Sequence, residues 1–113
     1  MELFSIEDLR ARRQSLRKTY YEFLRSDSLS MGVYELPAGA TDPQQPHTED
    51  EVYYVVAGLA QMCVGAEDKP VGPGAIISVR AGIEHRFHDI VEDLTVLVFF
   101  APPEYSRRSQ ATA

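Results

Sequence analysis

Three histidines occur in the chain, and two of them, His47 and His85, sit beside turn segments with acidic company. The first cluster is His47-Thr48-Glu49-Asp50-Glu51-Val52-Tyr53-Tyr54, and the second is Gly82-Ile83-Glu84-His85-Arg86-Phe87-His88-Asp89. Imidazole and carboxylate together suit a divalent transition metal, because both offer lone pairs to the same cation. Side chains alternate faces along a strand, so Gln45, His47, Glu49, Glu51 and Tyr53 share one parity. If that parity feeds a core, its ionisable groups must find partners or shift to their neutral forms. In the second cluster His85 and Phe87 share a face, whereas His88 has the opposite parity and reads as outward-facing. Taken alone, His85 reads as an ordinary hydrogen-bonded histidine, and Glu49 reads as solvated.

The elements that must position these residues are short. Ser5 and Asp8 at the start of an Ile6/Leu9 pattern predict an N-capped helix ending near Gln14. Beyond it, apolar and aromatic runs cover 20–24, 29–36, 52–57, 60–64, 75–79, 86–90 and 94–100. Pro37-Ala38-Gly39, Asp42-Pro43-Gln44-Gln45-Pro46, Gly65-Ala66-Glu67-Asp68 and Gly72-Pro73-Gly74 separate them. Runs rich in Val, Ile, Tyr and Phe between such turn formers predict an antiparallel sandwich or barrel. The polar segment 102–113 reads as a frayed tail.

At 113 residues, with 44% hydrophobic and 25% charged residues, the chain reads as one small domain with an ordinary globular composition. A net charge of −6 and a pI near 4.9 argue against a general nucleic-acid binder. Six basic residues (Arg10, Arg12, Arg13, Arg17, Lys18 and Arg25) do precede residue 26, and they read as a solvated helix face. The lone Cys63 permits no internal disulfide, suits a reducing cytoplasm and reads as a small buried hydrophobe. The N-terminus lacks a signal-peptide pattern, and no apolar run approaches a membrane span. The expectation is a soluble cytoplasmic protein. Small size and the aromatic segment Tyr20-Tyr21-Glu22-Phe23-Leu24 suggest a homodimer formed at a sheet edge.

Two longer patterns make a resemblance specific. Gly39, five residues, Gln45-Pro46-His47, three residues, Glu51, six residues and Gly58 reproduce the spacing of the first motif of the cupin family, with Gln45 in place of the first histidine. Gly74, Arg80, Gly82, His85 and Asp89 fall at the positions of the second motif, with Arg80 for proline and Asp89 for asparagine. The chain thus resembles a small single-domain cupin.

That resemblance implies an all-β double-stranded β-helix, or jelly-roll barrel, with a metal site inside. The single domain then divides into a helix at about 5–14, a barrel at about 19–101 and the tail at 102–113. By position, His47, Glu51 and His85 are the implied metal ligands, with Gln45 a weaker fourth. Two imidazoles and one carboxylate form a facial-triad set that leaves positions for water, substrate or oxygen. One divalent ion (iron, manganese, nickel or zinc) is expected. A single anionic ligand would leave the site positive and favour an anionic small molecule. Tyr53 and Phe87 are expected to line the pocket. Tyr20, Glu22 and Glu35 read as structural. A metalloenzyme of oxygenase, isomerase or decarboxylase type competes with a non-catalytic binding or sensing domain, and a vestigial site is the weakest reading.

Overall fold

A computed structural model describes residues 1–44 and 46–106. Ser5 caps helix α1 (Ile6–Leu16) by accepting the Asp8 N–H at 3.2 Å. The helix runs two residues past the expected Gln14, because Arg17 adopts the left-handed conformation and its N–H closes the last turn on Arg13 and Gln14 carbonyls. Six strands follow among the described residues: β1 (Tyr20–Arg25), β2 (Ser30–Leu36), β3 (Asp50–Val64), β4 (Glu67–Val71), β5 (Ile76–Val79) and β6 (His85–Ala101). They form one antiparallel sheet in the order β1-β2-β6-β3-β4, with β5 paired to β3. No helix among the described residues is long and apolar enough to cross a membrane.

The strands depart from the expected runs in two ways. The runs at 52–57 and 60–64 join into the 15-residue β3, and those at 86–90 and 94–100 join into the 17-residue β6. The β3–β6 register slips near Ala57 and Leu59, so these irregularities bend the ribbon without ending it. β4 falls outside the expected runs, because Glu67-Asp68-Lys69-Pro70-Val71 is polar. It is an exposed edge strand with only β3 beside it among the described residues, a place where proline and charge are tolerated.

Inward parity builds the core. Tyr34, Tyr53, Val55, Phe87, Leu94, Val96, Val98 and Phe100 are buried together inside the curved sheet. Cys63 takes the opposite parity to Met62 and is half-buried rather than buried, its thiol set toward the Gly65 carbonyl at 3.6 Å. The basic cluster is not simply solvated either, since Arg10 and Arg13 both reach Glu35.

Candidate metal centre

Three elements deliver the site. Glu51 lies near the start of β3, where it is held on both flanks by pairing with Val79 and Phe100. His85 opens β6 opposite Val64. In a flat ribbon Glu51 and His85 would lie far apart, because the thirteen steps from Glu51 to Val64 span roughly 43 Å of extended chain. Their side chains are instead 3.0 Å apart, so the β3–β6 ribbon coils back on itself. His47 precedes β3, and its loop is stitched to the Arg80–Glu84 loop. Gly82 N–H donates to the His47 carbonyl at 2.7 Å, and Ala81 N–H donates to Asp50 Oδ1 at 2.9 Å.

The ligating atoms of His47, Glu51 and His85 lie within 4.8 Å of one another, and all three residues are buried. His47 Nδ1, both Glu51 carboxylate oxygens and His85 Nε2 have no hydrogen-bond partner among the described residues. The close His85–Glu51 approach therefore lacks hydrogen-bond geometry. An unpaired buried polar atom costs about 1–3 kcal/mol, and here four converge on one point. Such a donor set fits a divalent cation.

The far ring nitrogens are both engaged. His85 Nδ1 lies 2.8 Å from the Ile83 carbonyl, and His47 Nε2 lies 3.0 Å from Glu104 Oε2. Each contact leaves the opposite nitrogen lone pair facing the site. Burial alone would lower the His85 pKa, but the Glu51 carboxylate and the Ile83 carbonyl raise it above the usual histidine value.

A cavity of about 340 Å³ opens beside these residues. Its walls include Tyr20, Tyr34, Gln44, His47, Glu51, Val98, Phe100 and Glu104. Tyr53 and Phe87 are not among the lining residues. They share the expected inward parity and are buried, their rings 5.1 Å apart and Tyr53 6.0 Å from His85. The Tyr53 hydroxyl donates to Gln44 Oε1 at 2.6 Å, and burial, with the Glu51 charge, raises its pKa well above normal. Gln45 lies outside the described residues. Its neighbour Gln44 is committed to Tyr53 and, through Nε2, to Asp42 at 3.0 Å.

Two acidic residues depart from expectation. Glu49 is 1% exposed rather than solvated, accepting hydrogen bonds from Thr48 Oγ1 and from the Tyr105 N–H. The reason is that the start of the tail folds over it. Pro103 is buried, Glu104 N–H donates to Ser30 Oγ at 2.9 Å, and Arg25 donates to the Glu104 carbonyl at 3.1 Å. Residues 102–106 are thus packed against the barrel instead of frayed. Residues 107–113 lie outside the described residues. His88 faces outward as its parity predicts and pairs with Asp68 at 2.8 Å. Glu22 pairs with Arg25.

The sequence pattern of the Cupin domain family matches residues 32–100. The chain belongs to the cupin family. An uncharacterised Streptomyces coelicolor protein is 48% identical over 104 residues, covering 92% of this chain and 99% of that protein. A crystal structure of a Thermus thermophilus protein is 26% identical, with a TM-score of 0.74 over 91% of this cupin and 99% of that chain. An RmlC-like cupin with a double-stranded β-helix fold from Methanocaldococcus jannaschii aligns with a TM-score of 0.69 at 14% identity. It covers 83% of this chain and 84% of its own. The fold of this cupin is accordingly the double-stranded β-helix. Its four motif glycines Gly39, Gly58, Gly74 and Gly82 all have positive φ, as does Asp89. Asp shares with the usual asparagine a tolerance of that conformation.

Proposed function

We propose that this cupin holds one divalent transition ion (iron, manganese, nickel or zinc) on His47, Glu51 and His85, and acts on a small organic molecule as an oxygenase, isomerase or decarboxylase. The observation that carries this reading is the convergence of four buried, unpartnered donor atoms from those residues. A bound ion would supply Lewis acidity or, if redox-active, oxygen activation. The chain's own residues would bind and orient the ligand. The cavity lies at the small end of the usual ligand-site range of roughly 300–1,000 Å³. Val98 and Phe100 provide an apolar wall that limits water. The Tyr20 hydroxyl is buried without a hydrogen-bond partner among the described residues and lines the cavity, so it is the donor we assign to the ligand. The anionic character expected of that ligand is offset by Glu104, which adds a second carboxylate to the wall.

A specific observation favours binding without chemistry as the second reading. The polar groups around the cavity are largely committed: Glu104 to His47, Tyr34 to Asp42, and Gln44 to Tyr53 and Asp42. Burial, followed by nearby carboxylates, raises the Tyr20 pKa, so its hydroxyl keeps its proton and donates without acting as an acid. We also propose that two copies associate through the β1 edge.

Elemental analysis of protein reconstituted in turn with iron, manganese, nickel and zinc tests the metal reading. About one ion per chain is expected, with His47→Ala or His85→Ala abolishing retention and Gln45→Ala weakening it. Wild-type protein that retains none of the four would overturn the reading. Equal loss in all three variants would make Gln45 a full ligand.

A further inference from the structure

We propose that Glu104 is a positioning residue for His47, delivered to the centre by the folded start of the tail; the proposal rests on the metal reading above. Glu51 and His85 stand on paired strands, but His47 lies on the loop before β3, so its ring must be oriented by contacts. Glu104 supplies the decisive one. Its Oε2 is 3.0 Å from His47 Nε2, and the two side chains are only 12% and 9% exposed. An ionised carboxylate only accepts hydrogen bonds, so Nε2 carries the proton and the Nδ1 lone pair turns inward, where Glu51 Oε1 lies 3.5 Å away.

The arrangement is built rather than incidental. The main chain of Glu104 is tied at both polar groups, its N–H to Ser30 Oγ and its carbonyl to Arg25. The next residue donates its N–H to Glu49 at 2.8 Å and stacks its ring on His47 with centroids 5.7 Å apart. Phe100 supports the His47 ring at 4.7 Å. A carboxylate on the far nitrogen of a metal-binding imidazole fixes the tautomer and makes the ring a stronger donor, and losing such a partner typically costs 10–100-fold in metal affinity.

The test uses the full chain, with cobalt(II) binding measured by chelator competition and visible absorption, and nitrogen-15 NMR of the His47 ring in the metal-free protein. Glu104→Ala is expected to weaken cobalt(II) binding by about 10–100-fold and to lose the single Nε2–H form of His47. Glu104→Gln keeps an acceptor oxygen, so it should fall between wild type and Glu104→Ala. Unchanged affinity, absorption and ring signals in Glu104→Ala would overturn the proposal, even if that variant melts at a lower temperature. If Glu104→Ala does not fold, Glu104→Gln decides: several-fold weaker binding supports the proposal, and unchanged binding overturns it. If wild type binds no cobalt(II), the metal reading fails separately. The ring signals then decide whether Glu104 orients His47.

Discussion

Gly58 shows how one residue lets a long strand turn. Its φ is +100°, and an added Cβ would lie 2.6 Å from Leu94 Cα and closer still to the Asp93 carbonyl oxygen. Both obstacles are backbone, which cannot rotate away. The position also sits among the β3–β6 register slips that bend the ribbon. Gly58→Ala should therefore destabilise the fold by at least the roughly 1–3 kcal/mol of a strained backbone position, measured by thermal or denaturant unfolding. Stability equal to wild type would mean that the close approach relaxes cheaply. At the same scale Tyr20→Phe should leave metal retention intact while weakening any ligand that uses its hydroxyl, which parallel metal and ligand binding assays would separate. Loss of metal in that variant would instead place Tyr20 in the support of the ligand group.

The helix is fastened to the barrel more by charge than by apolar burial. Leu9 is its one buried residue, while Arg13 and Arg10 reach Glu35 on β2 at 2.7 and 3.0 Å. Thr95 on β6 donates to the same carboxylate at 2.5 Å. Burial pushes the Glu35 pKa up, but the hydrogen bonds from Thr95 and Arg13 and the two guanidinium charges win, and the pKa is lowered. A carboxyl with a lowered folded-state pKa stabilises the fold above its unfolded value, near 4.3, and loses that contribution as pH falls through the folded value. Glu35→Gln should accordingly cost about 1–2 kcal/mol at neutral pH, with the gap to wild type closing below about pH 4. Unfolding curves across that range check it. A gap independent of pH would show that shape rather than charge holds the helix.

At the scale of the whole molecule, the sheet leaves β1 at one end of its strand order, beside β2 alone among the described residues. An edge strand presents unpaired backbone groups to a second chain, and a 12.7 kDa chain has a limited core of its own. Light scattering at micromolar concentration is expected to report the mass of a dimer. A mass of 12.7 kDa would exclude a stable one.

The all-β architecture, the N-cap at Ser5 and the identities of His47, Glu51 and His85 were legible in the chain itself. The first two follow from turn formers, apolar runs and capping chemistry, whereas the three candidate ligands follow from the resemblance to the cupin motifs, since His85 taken alone reads as an ordinary histidine. Parity was silent on which inward side chains border the cavity, so Tyr53 and Phe87 are buried without being among its lining residues. It was silent on β4 too, because a polar edge strand carries no apolar alternation. Glu104 is 57 residues from His47 and lies in a segment whose polar composition suggested fraying. Only the packing of Pro103 and the ties to Ser30 and Arg25 bring it inward. The candidate metal centre follows the same division. The residue types that can bind an ion are written locally, but their meeting requires the β3–β6 ribbon to coil until its distant ends touch. That closure depends on bulges, long-range pairing and core packing spread over the whole barrel, which no local stretch of sequence contains.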